Sequence, residues 1–116
     1  MKSSLILVSL GGIFGSVIRY LIIILLNSSP LATILINLSG CFLIGAASTV
    51  INPHYKLFLI TGMLGSFTTF SAFGLEGFKF LKHGYTAEAL LYIGAQVFLG
   101  IVMVYLGEIS AMRCLR

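Results

Sequence analysis

The sequence predicts an all-α membrane protein with four transmembrane helices, the third broken near its centre. Three observations carry that prediction. First, of 116 residues 59% are hydrophobic and only 9% charged, where a soluble domain carries about 25% charged residues; the mean hydropathy is +1.11. Second, four apolar stretches, about 5–26, 31–51, 57–82 and 87–107, each reach the roughly 20 residues needed to cross ~30 Å of hydrocarbon. Third, the run Gly62-Met63-Leu64-Gly65-Ser66-Phe67-Thr68-Thr69-Phe70-Ser71-Ala72-Phe73 puts small and hydroxyl residues in the middle of the third stretch. Such irregular backbone survives in a membrane only where it is buried in protein or lines a water- or ion-filled cavity.

Together the four stretches use nearly the whole chain, 1–116, as a single transmembrane domain, with no room for a nucleotide-binding or soluble catalytic unit. The first stretch is not read as a signal peptide: it is too long, contains Arg19 and lacks a small-residue cleavage site before a polar mature region. It carries Gly11, Gly12, Gly15 and Ser16, a small-residue pattern that allows close helix contact. Arg19 follows. An intramembrane arginine is costly and marks a function or a specific partner, unless it snorkels to the interface.

Asn27-Ser28-Ser29-Pro30 reads as the first turn, with proline suited to a loop or the first helical turn. The second stretch holds Asn37 near its centre. Its amide must find a partner in hydrocarbon, either in an interhelical hydrogen bond that holds the bundle or in an anion. Asn52 to Lys56 forms the second loop, and His54 reads as solvent-exposed. In the third stretch Phe70 and Phe73 share one helical face. Glu76 follows, near an interface or inside a vestibule. Lys79, Lys82, His83 and Gly84 close that stretch. In the fourth, Tyr92, Gln96 and Gly100 recur at fourfold spacing on one face.

With a cytoplasmic N-terminus, Lys2, Lys56, Arg113 and Arg116 lie on one side and Lys79 and Lys82 on the other. This weak bias is compatible with insertion in both orientations and pairing with an inverted copy. The net charge of +4 sits at segment ends, as interfacial anchors do, and not in a nucleic-acid patch. Cys41 and Cys114 lack the His or carboxylate neighbours of a metal site and read as ordinary membrane cysteines.

No nucleophile-base set, carboxylate pair or metal-ligand cluster is present, so the sequence points to transport and away from an enzyme. Neutral donors on Asn37, Thr69 and Ser71 suit a small hard anion, because they replace its water without trapping it behind a fixed charge. Phenylalanine ring edges are positive and add to such a path. Arg19 would raise the anion concentration at a mouth. Carbonyls freed by the break, around Gly65 and Thr68, are hard oxygen donors that suit a cation instead.

The ordered set Gly65-Ser66-Phe67-Thr68-Thr69-Phe70-Ser71-Ala72-Phe73 with Glu76, preceded by Gly11 to Gly15 with Arg19-Tyr20, and by Ile36-Asn37 with Gly40, resembles the Fluc (CrcB) family of fluoride channels across all four spans. The resemblance implies passive export of fluoride across the cell membrane, relieving fluoride toxicity, through two pores at the interface of an antiparallel dual-topology dimer. It implies Asn37, Phe70 and Phe73 as pore residues, with Thr69, Ser71, Arg19 and Gln96 along or beside the path and Glu76 in the vestibule. It also implies a central structural Na+ held by the backbone carbonyls of Gly65 and Thr68 of each subunit. The fourth span departs from the family: Gly100 and Val104 stand where hydroxyl residues are expected, which opens the alternative of one subunit of a heterodimeric fluoride channel. A small multidrug-type exporter would need a membrane-embedded carboxylate in the first span, which holds only Arg19. A structural subunit of a larger membrane complex would use Asn37 and the glycines for packing alone.

Overall fold

A computed structural model describes residues Met1–Arg116. Helix α1 (Lys2–Leu25) runs through the first apolar stretch. Asn27 and Ser28, both at positive φ, turn the chain. Helix α2 (Pro30–Val50) begins with proline at its first position, where a missing N–H costs nothing. The third span starts at Pro53, with the Asn52 side chain accepting from the His54 N–H at 3.0 Å. Pro53–Lys56 is α-helical, Leu57–Leu64 widens to a π-helix and Gly65–Phe67 returns to α geometry; these three pieces together are α3. The chain is extended at Thr68 and Thr69, then resumes as α4 (Phe70–Lys82). Helix α5 (Thr86–Cys114) completes the bundle.

The four units Lys2–Leu25, Pro30–Val50, Pro53–Lys82 and Thr86–Cys114 are each long and apolar enough to cross a membrane. The molecule is 47 Å along its longest axis, close to the ~40–45 Å of a bilayer with its headgroups. This is a multi-pass membrane protein. Only 20 of 116 residues are buried, so most apolar side chains, Phe14, Phe70, Phe98 and Ile101 among them, face outward to lipid or another chain.

Two close helix pairs, α1 with α3 and α2 with α5, make the bundle. Glycine sets both contacts. A Cβ at Gly15 would run into the Met63 carbonyl and the Ser66 hydroxyl, and one at Gly107 would run into the Phe42 carbonyl. Close backbone approach of this kind replaces the hydrophobic driving force that lipid removes. Ser66 ties the first pair, its hydroxyl lying 3.0 Å from the Gly12 carbonyl of α1 and 2.7 Å from the Gly62 carbonyl of its own helix. The break at Thr68–Thr69 lies between the two pairs, with Arg19 on one side and Asn37 on the other.

Candidate functional site

The interruption of the third span frees backbone groups in mid-membrane, and α2 satisfies them. Asn37 Nδ2 donates to the Thr69 carbonyl at 3.2 Å, and Asn37 Oδ1 accepts from the Thr69 N–H at 2.9 Å. One side-chain amide therefore pairs with both polar groups of one backbone residue, as a neighbouring strand would. The Thr69 hydroxyl accepts from the Ala72 N–H at 3.2 Å and caps α4. Asn37 Nδ2 also donates to Gln96 Oε1 at 3.0 Å, linking α2 to α5. Both amide hydrogens of Asn37 are thus engaged, one of them in a bond between α2 and α5.

Gln96 has the opposite character. It is buried, only 8% exposed, and its Nε2 has no hydrogen-bond acceptor. An unpaired buried donor costs about 1–3 kcal/mol. Gln96 lines a cavity of about 290 Å³ with Asn37, Cys41, Phe70, Phe73 and Gly100. The Phe70 and Phe73 rings lie 5.4 Å apart and tilted, and Phe73 stacks on Tyr92 at 5.7 Å. Phe73 is buried, whereas Phe70 is 83% exposed on the outer wall. Beyond Gln96 the α5 side of this cavity is apolar: Val97, Gly100, Ile101 and Val104. A second cavity of about 270 Å³ adjoins the break, lined by Asn37, Cys41, Gly65, Thr68, Thr69 and Phe70 among others.

Arg19 does not reach these cavities. Its guanidinium turns to the break, with Nη1 3.4 Å from the Thr68 carbonyl. No backbone N–H reaches the Thr68 carbonyl, and the Thr69 N–H that would continue the helix onto Gly65 goes to Asn37 instead. Both carbonyls are hard oxygen donors of the kind a small hard ion such as Na+ takes, although the Thr68 oxygen also lies 3.4 Å from the Arg19 guanidinium. Ser71 is exposed, its hydroxyl 3.4 Å from that of Thr69.

Glu76 lies inside the bundle. Thr33 Oγ1 of α2 donates to its Oε1 at 2.9 Å, and the Tyr92 hydroxyl of α5 donates to its Oε2. Glu76 also lines a separate cavity of about 290 Å³ with Pro30, Lys79, Phe80, His83 and Tyr85, at the end where the α1–α2 and α4–α5 turns meet. Two roles escaped the sequence reading: Thr33 as a partner of Glu76, and Cys41 as part of a cavity wall. The available signal was the fourfold spacing Thr33, Asn37, Cys41 along one face of α2.

The family described as CrcB-like protein, Camphor Resistance (CrcB), matches residues 6–108. Among similar proteins is one from Flavobacterium psychrophilum, 40% identical over 115 residues that cover 90% of this chain and 93% of the relative. A relative from Rhizobium meliloti is 39% identical, covering 96% of this chain and 97% of its own. One from Methanococcus maripaludis is 40% identical, covering 93% and 95%. Each of the three carries the name fluoride-specific ion channel FluC. A match of this extent, over all four spans and the break, identifies the chain as a member of the CrcB family.

Proposed function

We propose that this chain is a passive, fluoride-selective channel that carries fluoride out of the cytoplasm across the cell membrane. The observation that carries the reading is the Gln96 Nε2 donor, buried without an acceptor beside a cavity walled by Asn37, Phe70 and Phe73. An anion supplies the missing acceptor, and ring edges of the two phenylalanines offer it further positive potential. The site holds no full positive charge, so the ion binds weakly enough to leave. The naming of the similar proteins as fluoride-specific channels supports fluoride as that anion.

Each residue then has a part in the path. Glu76, held by Thr33 and Tyr92, borders the vestibule, where Lys79 draws anions in. Asn37 holds the break open and orients Gln96. Thr69 and Ser71 add hydroxyls at the start of α4. Arg19, bound to the break from the α1 side, biases the local potential toward anions. A second copy in inverted orientation covers the exposed ring of Phe70 and the apolar outer faces, and two paths run along that interface. Where the breaks of two copies meet, the Gly65 and Thr68 carbonyls would hold a structural Na+, whose charge joins the two subunits.

A specific observation also favours a second arrangement, in which this chain is one half of a heterodimer. The wall at Val97, Gly100, Ile101 and Val104 offers no hydroxyl, and a different subunit could complete it. Purified chain reconstituted alone into liposomes decides between the two. Fluoride efflux well above chloride efflux supports the homodimer. A folded protein that passes no fluoride alone, but does so with a second family member, supports the heterodimer.

A further inference from the structure

The polar line on α5 stops at Gln96, but the line on α2 continues for one more turn. Thr33, Asn37 and Cys41 follow one another at fourfold spacing, and Cys41 shares the walls of both cavities that meet at Asn37 and Phe70. Opposite it stands Gly100. A Cβ placed there would lie 3.4 Å from Cys41 Sγ, so the sulfur occupies the space that the absent side chain leaves. At this level of the cavity the α5 wall consists of Val97, Gly100, Ile101 and Val104, and the Cys41 thiol supplies the one polar hydrogen. Gln96, whose Nε2 is buried and makes no hydrogen bond, lines the same cavity one turn away.

We propose that Cys41 is a pathway-lining residue and the site at which a water-borne thiol reagent closes the channel. This rests on the channel reading above. The thiolate is the reactive form. With an anionic methanethiosulfonate, the Cys41 sulfur attacks the sulfenyl sulfur, a new S–S bond forms, methanesulfinate leaves with the electron pair of the broken S–S bond, and the thiol proton passes to water. The product places a sulfonatoethyl group inside a space of about 290 Å³. It fills the passage and fixes a negative charge in the path of an anion.

The test uses the full chain in liposomes with Cys114→Ser, since Cys114 is exposed at the C-terminal end and would also react. The probe is (2-sulfonatoethyl) methanethiosulfonate, which does not cross lipid, beside N-ethylmaleimide, which does. Intact mass reads labelling, and a fluoride electrode reads efflux. The expected result is one sulfonatoethyl adduct and a fall in fluoride efflux of about tenfold or more, as a blocked constriction requires. Cys41→Ser in the same background should take no adduct and keep its own untreated rate after exposure. Failure of the sulfonate reagent to label Cys41 overturns the proposal, whether or not N-ethylmaleimide labels it, and so does an adduct that leaves efflux unchanged. If the untreated protein passes no fluoride alone or with a second family member, the channel reading fails, and sulfonate labelling alone then decides whether Cys41 borders a water-accessible path.

Discussion

Asn37 spans the interruption of the third span with a single amide, accepting from the Thr69 N–H and donating to its carbonyl. Its removal leaves two backbone groups unpaired in mid-membrane. Asn37→Ala should therefore lower folding stability by about 1–3 kcal/mol, read as a lower melting temperature in detergent, and should slow fluoride efflux as Gln96 loses its neighbour. Gln96→Leu separates the two kinds of role. It removes the unpaired donor while keeping bulk, so efflux should fall by about tenfold with a melting temperature near that of the native chain, one good hydrogen bond to an ion being worth ~1.5 kcal/mol or more. A glutamine with a packing role alone would show the reverse, an altered melting temperature and unchanged efflux. The types of these residues stand in the sequence, but their partners do not. Asn37 and Thr69 are 32 positions apart and Asn37 and Gln96 are 59 apart, and no local pattern encodes which backbone an amide will meet. For the same reason the sequence left Arg19 open between the interface and a buried partner, until the fold brought Thr68 within reach of it.

At the scale of the element, the interrupted span follows from its own residues. Glycine, serine and threonine weaken the helix between Gly62 and Ser71, and hydroxyls offer local alternatives to the helical bonds. Thr69 uses its hydroxyl to restart the helix at Ala72. Thr69→Val keeps the shape and loses that cap, at a cost of about 1 kcal/mol, which thermal melting should register. The break was legible because its composition clashes with that of a membrane span. The π-helical turns at Leu57–Leu64, which pack against α1, were not, since their residues are as apolar as any span. Glycine-mediated contact of α1 with α3 is likewise sharp at this scale. Gly15→Val puts a branched side chain against the Met63 carbonyl, and it should abolish recovery of folded protein by size-exclusion chromatography.

For the whole molecule, hydropathy alone gave four spans, because the bilayer demands length and apolarity of every crossing. It could not say what covers the outward apolar faces. Phe70, a member of the candidate site, is 83% exposed in the single chain, which supports a second subunit as its cover. The weak bias of positive charge, four residues against two, is compatible with copies inserting both ways. With Cys41→Ser, an impermeant thiol reagent applied to intact cells should reach a substantial fraction of the Cys114 residues and leave the rest unlabelled, as insertion in both orientations requires. Labelling of nearly all or nearly none would contradict dual insertion. The Glu76 cluster shows the same limit of linear reading. Glu76 and its two partners, Thr33 and Tyr92, come from three different spans, so its position inside the bundle emerges only when α2, α4 and α5 assemble.

The most direct test is ion efflux from liposomes holding this chain alone, measured for fluoride and for chloride, with Phe70→Ile beside the native protein. Phe70 is exposed in the single chain, so this change spares its fold while altering the wall of the candidate path. The account predicts rapid fluoride efflux, little chloride efflux, and strongly reduced fluoride efflux in Phe70→Ile. Equal passage of both ions, or native fluoride rates in the variant, would contradict it.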